Sequence, residues 1–288
     1  MRAGDGVAFG LLALAVGIPG WSQSLDAAFP KQIEAGSAFS VELPGSGEGT
    51  LYLVGPGQVL RRTVRLGETT EFPAGSLYNA GHYVAFLLGQ ASPTTEFDVI
   101  ATKNPAEMSF LANPSRLPVS QRDGISGAVY IFDSYRNLIA SQIPVQFQLV
   151  TPTGTNQMRS TEARYGVASV EFDSTSEQGA DKFIASAGNV SSTRVIRQVS
   201  GDPCGIKMSA AQVGKNVQLS TEPLKDCSGN AVPDGTVVTF TQTYGGCEST
   251  VDVPMKRGIA EVQMPSHPGA TITVASGVVL GNQIRWEK

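Results

Sequence analysis

The sequence predicts an all-β chain, built as tandem β-sandwiches behind an N-terminal export signal. Three observations carry this. The 288 residues include 32 Gly and 17 Pro but only 16% charged side chains, which suits short strands divided by turns. No long stretch after the N-terminus has helical periodicity. Finally, the stretch from Asp226 to Phe240 has an echo upstream. It begins with a polar turn (Asp226, Ser228, Gly229, Asn230), continues through a Pro233-Asp234-Gly235 turn, and ends in the strand-forming run Thr236-Val237-Val238-Thr239-Phe240. Asp133 matches Asp226, Asn137 matches Asn230, Val145 matches Val238 and Phe147 matches Phe240, all without a gap.

In chain order, residues 1–24 read as a signal peptide: Arg2 precedes an apolar run from Val7 to Ile18, Pro19-Gly20 breaks it, and Ser22 and Ser24 are small residues at the cleavage positions. No Cys stands at the cleavage point. Nothing after Phe29 is apolar enough to span a bilayer, so no transmembrane segment is expected in the mature chain. The first sandwich is expected over 25–102. Phe39, Val41 and Leu43 alternate with polar neighbours, and further strands follow at Leu51–Val54, Val59–Val64, Glu71–Phe72, Leu77–Phe86 and Thr95–Ile100. The glycine runs Gly45–Gly49 and Gly55–Gly57 precede no helix and read as hairpin turns rather than phosphate loops.

The second sandwich is expected over 103–200. Its strands are Met108–Leu111, Gly127–Phe132, Ile143–Val150, Val167–Phe172, Lys182–Ala187 and Thr193–Val199. The third, over 201–288, has Gly205–Ser209, Val217–Thr221, Thr236–Gln242, Thr250–Pro254, Ile259–Met264, Thr271–Ala275 and Gln283–Trp286. The two copies agree again at Ala168, Val170 and Phe172 against Ala260, Val262 and Met264, a period-two set that fills one face. A third match sets Ile184-Ala185-Ser186 against Val274-Ala275-Ser276.

The pattern Asp-x-x-Gly-Asn-x-Val-x-Asp-Gly-Thr-x-Val-x-Phe at Asp226–Phe240 resembles bacterial immunoglobulin-like (Big-1) domains of the invasin and intimin type. The middle copy is similar with departures: Arg136 stands for the first Gly, and Ser141-Gln142 for Asp-Gly. In the first sandwich, Gly81-His82-Tyr83-Val84-Ala85 resembles the tyrosine corner of immunoglobulin-like domains, with Tyr83 as the corner residue. The resemblance implies the fold. It implies a role only as spacer, adhesin stalk or partner-binding module.

The remaining chemistry is sparse. A net charge of −4 without a basic cluster argues against nucleic acid as partner. The cysteines Cys204, Cys227 and Cys247 all fall in the last sandwich, and export permits a disulfide. Cys204 opens the first strand and Cys227 follows the second, which favours their pairing. Cys227–Cys247 is the rival. Asp226, Asn230 and Asp234 are oxygen ligands in one loop, but without EF-hand spacing. They read as turn formers, and no metal or cofactor is expected. The two histidines, His82 and His267, fall in different sandwiches, and no Gly-x-Ser-x-Gly elbow exists, so no catalytic residues are expected. Trp286 shares a face with Ile284 and reads as core filler more than a sugar platform.

The expected function is therefore that of a non-enzymatic structural or adhesive protein. It would be secreted, periplasmic or on the cell surface, and would space or bind a protein or glycan partner. The alternative is a carbohydrate-binding or accessory module of a secreted enzyme system.

Overall fold

A computed structural model describes residues 29–88 and 94–287. The expected signal peptide over 1–24 lies outside them. Every helix or strand among the described residues is a strand. The chain falls into two compact units, 1–100 and 101–288.

The first unit contains β1 (Gln32–Glu34), β2 (Phe39–Glu42), β3 (Gly47–Gly55), β4 (Gln58–Leu66), β5 (Thr69–Phe72), β6 (Gly81–Leu88) and β7 (Thr95–Ile100). One sheet runs β1-β7-β6-β3-β4 and a second pairs β2 with β5. β1 is parallel to β7, while the other pairings are antiparallel. The alternation in these strands sends Val41, Leu51, Leu53, Phe72, Tyr83, Ala85 and Phe97 into one core. The expected turn over Gly45–Gly49 is corrected: Gly47 and Gly49 belong to β3, opposite Leu66 and Val64. The long partner β4 supplies ladder bonds that draw the glycines into the strand. The Gly55–Gly57 run does close the β3–β4 hairpin, with Gly55 opposite Gln58.

The second unit continues with β8 (Glu107–Asn113), β9 (Arg116–Pro118), β10 (Ile125–Phe132), β11 (Ile143–Val150), β12 (Asn156–Ala163), β13 (Val167–Phe172), β14 (Gly179–Ala187) and β15 (Val190–Val199). These form sheets β13-β10-β8 and β12-β11-β14-β15-β9, which enclose a core around Phe110, Phe147, Phe172 and Phe183. Then come β16 (Met208–Val213), β17 (Asn216–Thr221), β18 (Val237–Tyr244), β19 (Cys247–Pro254), β20 (Glu261–Pro265), β21 (Thr271–Ser276) and β22 (Val279–Arg285). Sheets β16-β17-β20 and β19-β18-β21-β22 enclose a separate core around Leu219, Phe240, Ile272 and Trp286. Two sheets around an alternating core is the immunoglobulin-like sandwich.

Phe147 and Phe240 occupy the same place in their sandwiches. Both are fully buried on the central strand, opposite Ala185 and Val274 respectively. Ala168 and Ala260, and Phe172 and Met264, are likewise buried in pairs. The third match is corrected by one residue. Phe183, Ala185 and Ala187 point inward in one copy, and Ile272, Val274 and Ser276 in the other, so Ala185 rather than Ile184 corresponds to Val274. A slip of one residue reverses every side chain in a strand, and the buried face decides between the two alignments.

Candidate functional site

The repeated polar turn becomes the same object in both copies. In the middle sandwich, Asp133 Oδ1 accepts from the backbone N–H of Tyr135 (2.9 Å) and of Asn137 (2.8 Å). Asn137 Nδ2 donates to Asp133 Oδ2 at 3.1 Å. In the last sandwich, Asp226 Oδ1 accepts from the N–H of Ser228 and of Asn230, both at 2.9 Å, and Asn230 Nδ2 reaches Asp226 Oδ2 at 3.1 Å. This is the Asx turn that an Asp at this spacing favours. Each carboxylate also catches the linker that feeds its sandwich: Thr102 N–H donates to Asp133 Oδ2 at 3.1 Å, and Gly201 N–H to Asp226 Oδ2 at 3.0 Å.

The turn at Asp226 goes further and grips the neighbouring sandwich. Asn230 Nδ2 donates to the Ser176 carbonyl at 2.8 Å, and Asn230 Oδ1 accepts from Gln178 N–H at 3.4 Å. The hydroxyls of Ser228 and Ser120 lie 2.7 Å apart. Burial pushes the Asp226 carboxyl upward, but the Asn230 side chain and the N–H groups of Gly201, Asn230 and Ser228 outweigh it. They hold it below the ordinary carboxylate value.

Inside the middle sandwich, the gripped loop rests on a buried polar pair. Gln198 Oε1 accepts Thr175 N–H at 2.6 Å, while Gln198 Nε2 donates to Asp181 Oδ2. Asp181 is fully buried, and its Oδ1 has no hydrogen-bond partner. Burial pushes its carboxyl up, Gln198 opposes this, and Glu177 adds to the rise. Nothing in the sequence singled out Asp181. Only its neighbours in space make it unusual.

Cys204 and Cys227 are bonded to each other, with Cα atoms 4.5 Å apart, and Cys247 is an exposed free thiol beside the β18–β19 turn. Tyr83 Oη lies 3.0 Å from both the Asn79 carbonyl oxygen and Gln58 Oε1. A carbonyl four residues upstream is the partner a tyrosine corner uses. Burial pushes the Tyr83 phenol up, with Tyr78 adding to it.

The loop oxygens weighed as calcium ligands are committed to backbone donors. Asp234 accepts from the N–H of Arg257 and of Gly258, both at 2.9 Å, and these bonds hold its carboxyl low. Among the described residues no cluster of three His, Cys, Asp or Glu is placed to hold a metal. His82 sits exposed between Asp98 (3.1 Å) and Glu96 (3.4 Å); the hydrogen bond to Asp98 leads in raising its pKa. Trp286 is buried in the last core, its Nε1 donating to Ser266 Oγ at 2.8 Å. Tyr244, by contrast, is half exposed and stacks on His267 with ring centroids 5.0 Å apart.

The sequence matches no family model and no curated protein. Solved structures are similar in fold. FdeC, an Escherichia coli adhesin, aligns with a TM-score of 0.60 at 14% identity, over 89% of this chain and 94% of its own. Invasin, a bacterial integrin-binding protein, aligns at 0.49 and 12% identity, over 87% of this chain and 56% of its own. A tetra-tandem repeat from the extending region of a large adhesion protein aligns at 0.36 and 13% identity, over 87% of this chain and 70% of its own. At these identities the likeness is one of fold alone, and the FdeC match agrees with the all-β sheets described above.

Proposed function

We propose that this is an exported, non-enzymatic structural and adhesive protein. Its three pairs of sheets act as three immunoglobulin-like domains, over 25–102, 103–200 and 201–288. They space and present a binding surface to a protein or glycan at the cell envelope. The observation that carries this reading is the repeated joint turn. Asp133 and Asp226 each bind the backbone of the incoming linker, and Asn230 also holds the preceding sandwich. A spacer must fix the angle at its joints, and within residues 101–288 the Asn230 bonds to Ser176 and Gln178 serve that end. The exposed disulfide fits an oxidising compartment, and the fold likeness to an adhesin points the same way.

Protease treatment of intact expressing cells tests the reading. The chain is expected to be cleaved while a cytosolic marker survives, and purified chain is expected to bind target cells saturably. Retention in the cytosol with Cys204 and Cys227 reduced would overturn it. The Tyr244–His267 stack favours one rival, a carbohydrate-binding module. On a glycan array, saturable binding that is lost in Tyr244→Ala would select that rival.

A further inference from the structure

Every cross-joint bond of residues 101–288 named above comes from one turn, 226–230, and a cysteine lies inside it. We infer that the Cys204–Cys227 bridge is a redox-released latch on this joint, opened by a dithiol reductant. The turn is attached to the linker's end in three ways. Gly201 N–H donates to Asp226 Oδ2 at 3.0 Å, Cys204 N–H donates to the Lys225 carbonyl at 2.9 Å where Pro203 pairs with Asp226, and the disulfide joins Cys204 to Cys227. Only the last is covalent. On the far side of the turn, Ser228 meets Ser120 and Asn230 meets Ser176 and Gln178. Cutting the bridge leaves the turn tied to the linker by hydrogen bonds alone, from Gly201 N–H to Asp226 Oδ2 and from Cys204 N–H to the Lys225 carbonyl.

The bridge is open to attack. Cys204 and Cys227 are both exposed, and Cys204 lines a surface groove with Lys207, Lys225, Glu222 and Asp226. A thiolate of the reductant attacks one sulfur, the S–S bond breaks, and the displaced cysteine leaves as a thiolate that takes up a proton. The reductant's second thiolate then resolves the mixed disulfide and frees the other cysteine. Two electrons pass from the dithiol, which becomes a disulfide, to the bridge, which becomes two thiols.

The inference stands whether or not the chain is adhesive. The experiment uses the full chain carrying Cys247→Ser, so that no third thiol can exchange. Residual dipolar couplings are measured for amides of 105–199 and 205–287, before and after dithiothreitol, with thiols counted by mass. The oxidised chain is expected to fit one alignment tensor. The reduced chain is expected to need two, while the amide dispersion of 205–287 persists. A single tensor after both thiols are freed overturns the latch, as does a need for two tensors before reduction. Loss of dispersion in 205–287 overturns it too, because the bridge would then be a staple of the fold. Asn230→Ala in the oxidised chain removes the turn's grip without touching the bridge, and it too must separate the tensors. If it leaves one tensor, the turn is not what the bridge secures.

Discussion

Arg136 and Gly229 show how one backbone demand is met by two residues. Both have positive φ, 65° and 87°, at the same step of the same Asx turn. An L side chain in the left-handed region costs about 1–2 kcal/mol, which glycine avoids. The exposed Arg136–Glu107 ion pair returns little of this. Arg136→Gly is therefore expected to stabilise the middle sandwich by about 1 kcal/mol, read as a raised denaturation midpoint. A similar gap exists at Ser141, which aligns with Asp234. Asp234 caps the N–H groups of Arg257 and Gly258, whereas Ser141 Oγ is buried with no hydrogen-bond partner. Ser141→Asp is expected to restore the cap on the matching Tyr165–Gly166 turn, and a higher melting temperature checks it. Gly55 is constrained for another reason, since a Cβ there would enter the Tyr83 ring. That ring is fully buried and cannot move aside. Gly55→Ala is expected to cost about 1–3 kcal/mol by overpacking, measured by chemical denaturation.

At the level of elements, the joint between the last two sandwiches rests on two carboxyls with opposite pH behaviour. Asp226 is held low, so its contribution is complete above the ordinary carboxylate pKa and is lost as pH falls through its depressed value. Asp181 is pushed high by burial, so the native state favours its neutral form. Stability there declines as pH rises from the ordinary value through the raised one. Asp226→Asn is expected to lower the melting temperature at neutral pH, and Asp181→Asn to raise it. Both differences should shrink on acidification, when the native carboxyls are protonated as well. Melting curves of the two variants across pH 3–7 (roughly the carboxylate window and above) check the signs. A shift of the same sign for both would contradict the assignment.

At the scale of the molecule, the three separate cores among the described residues imply separate unfolding events. Calorimetry of the full chain is expected to show more than one transition. The Cys204→Ser, Cys227→Ser pair should displace only the one belonging to 205–287, by about 3 kcal/mol on the chain-entropy estimate for its loop. Much of this architecture was legible in the residues. Alternation at Val145, Phe147 and Leu149 marks a half-buried strand wherever it occurs, and the Asp-to-Asn spacing of four marks the turn. β12 was not legible. Asn156–Ala163 is polar and mostly exposed, and it is a strand because β11 offers it an open edge. β9 and β1, three residues each, join their sheets in parallel through partners distant in sequence.

The strand-and-turn rhythm, the likeness between the last two sandwiches and the identity of the turn residues could all be read along the chain. These are local properties, set by side-chain period and by hydrogen bonds spanning four residues. Tertiary structure decided what the turns hold. That Asn230 grips Ser176, that Asp181 lies buried beneath the gripped loop, and that Ala185 rather than Ile184 stands opposite Phe147 all depend on distant segments meeting. Burial and cross-sheet register arise only when two layers close on each other, and no window of sequence contains both layers.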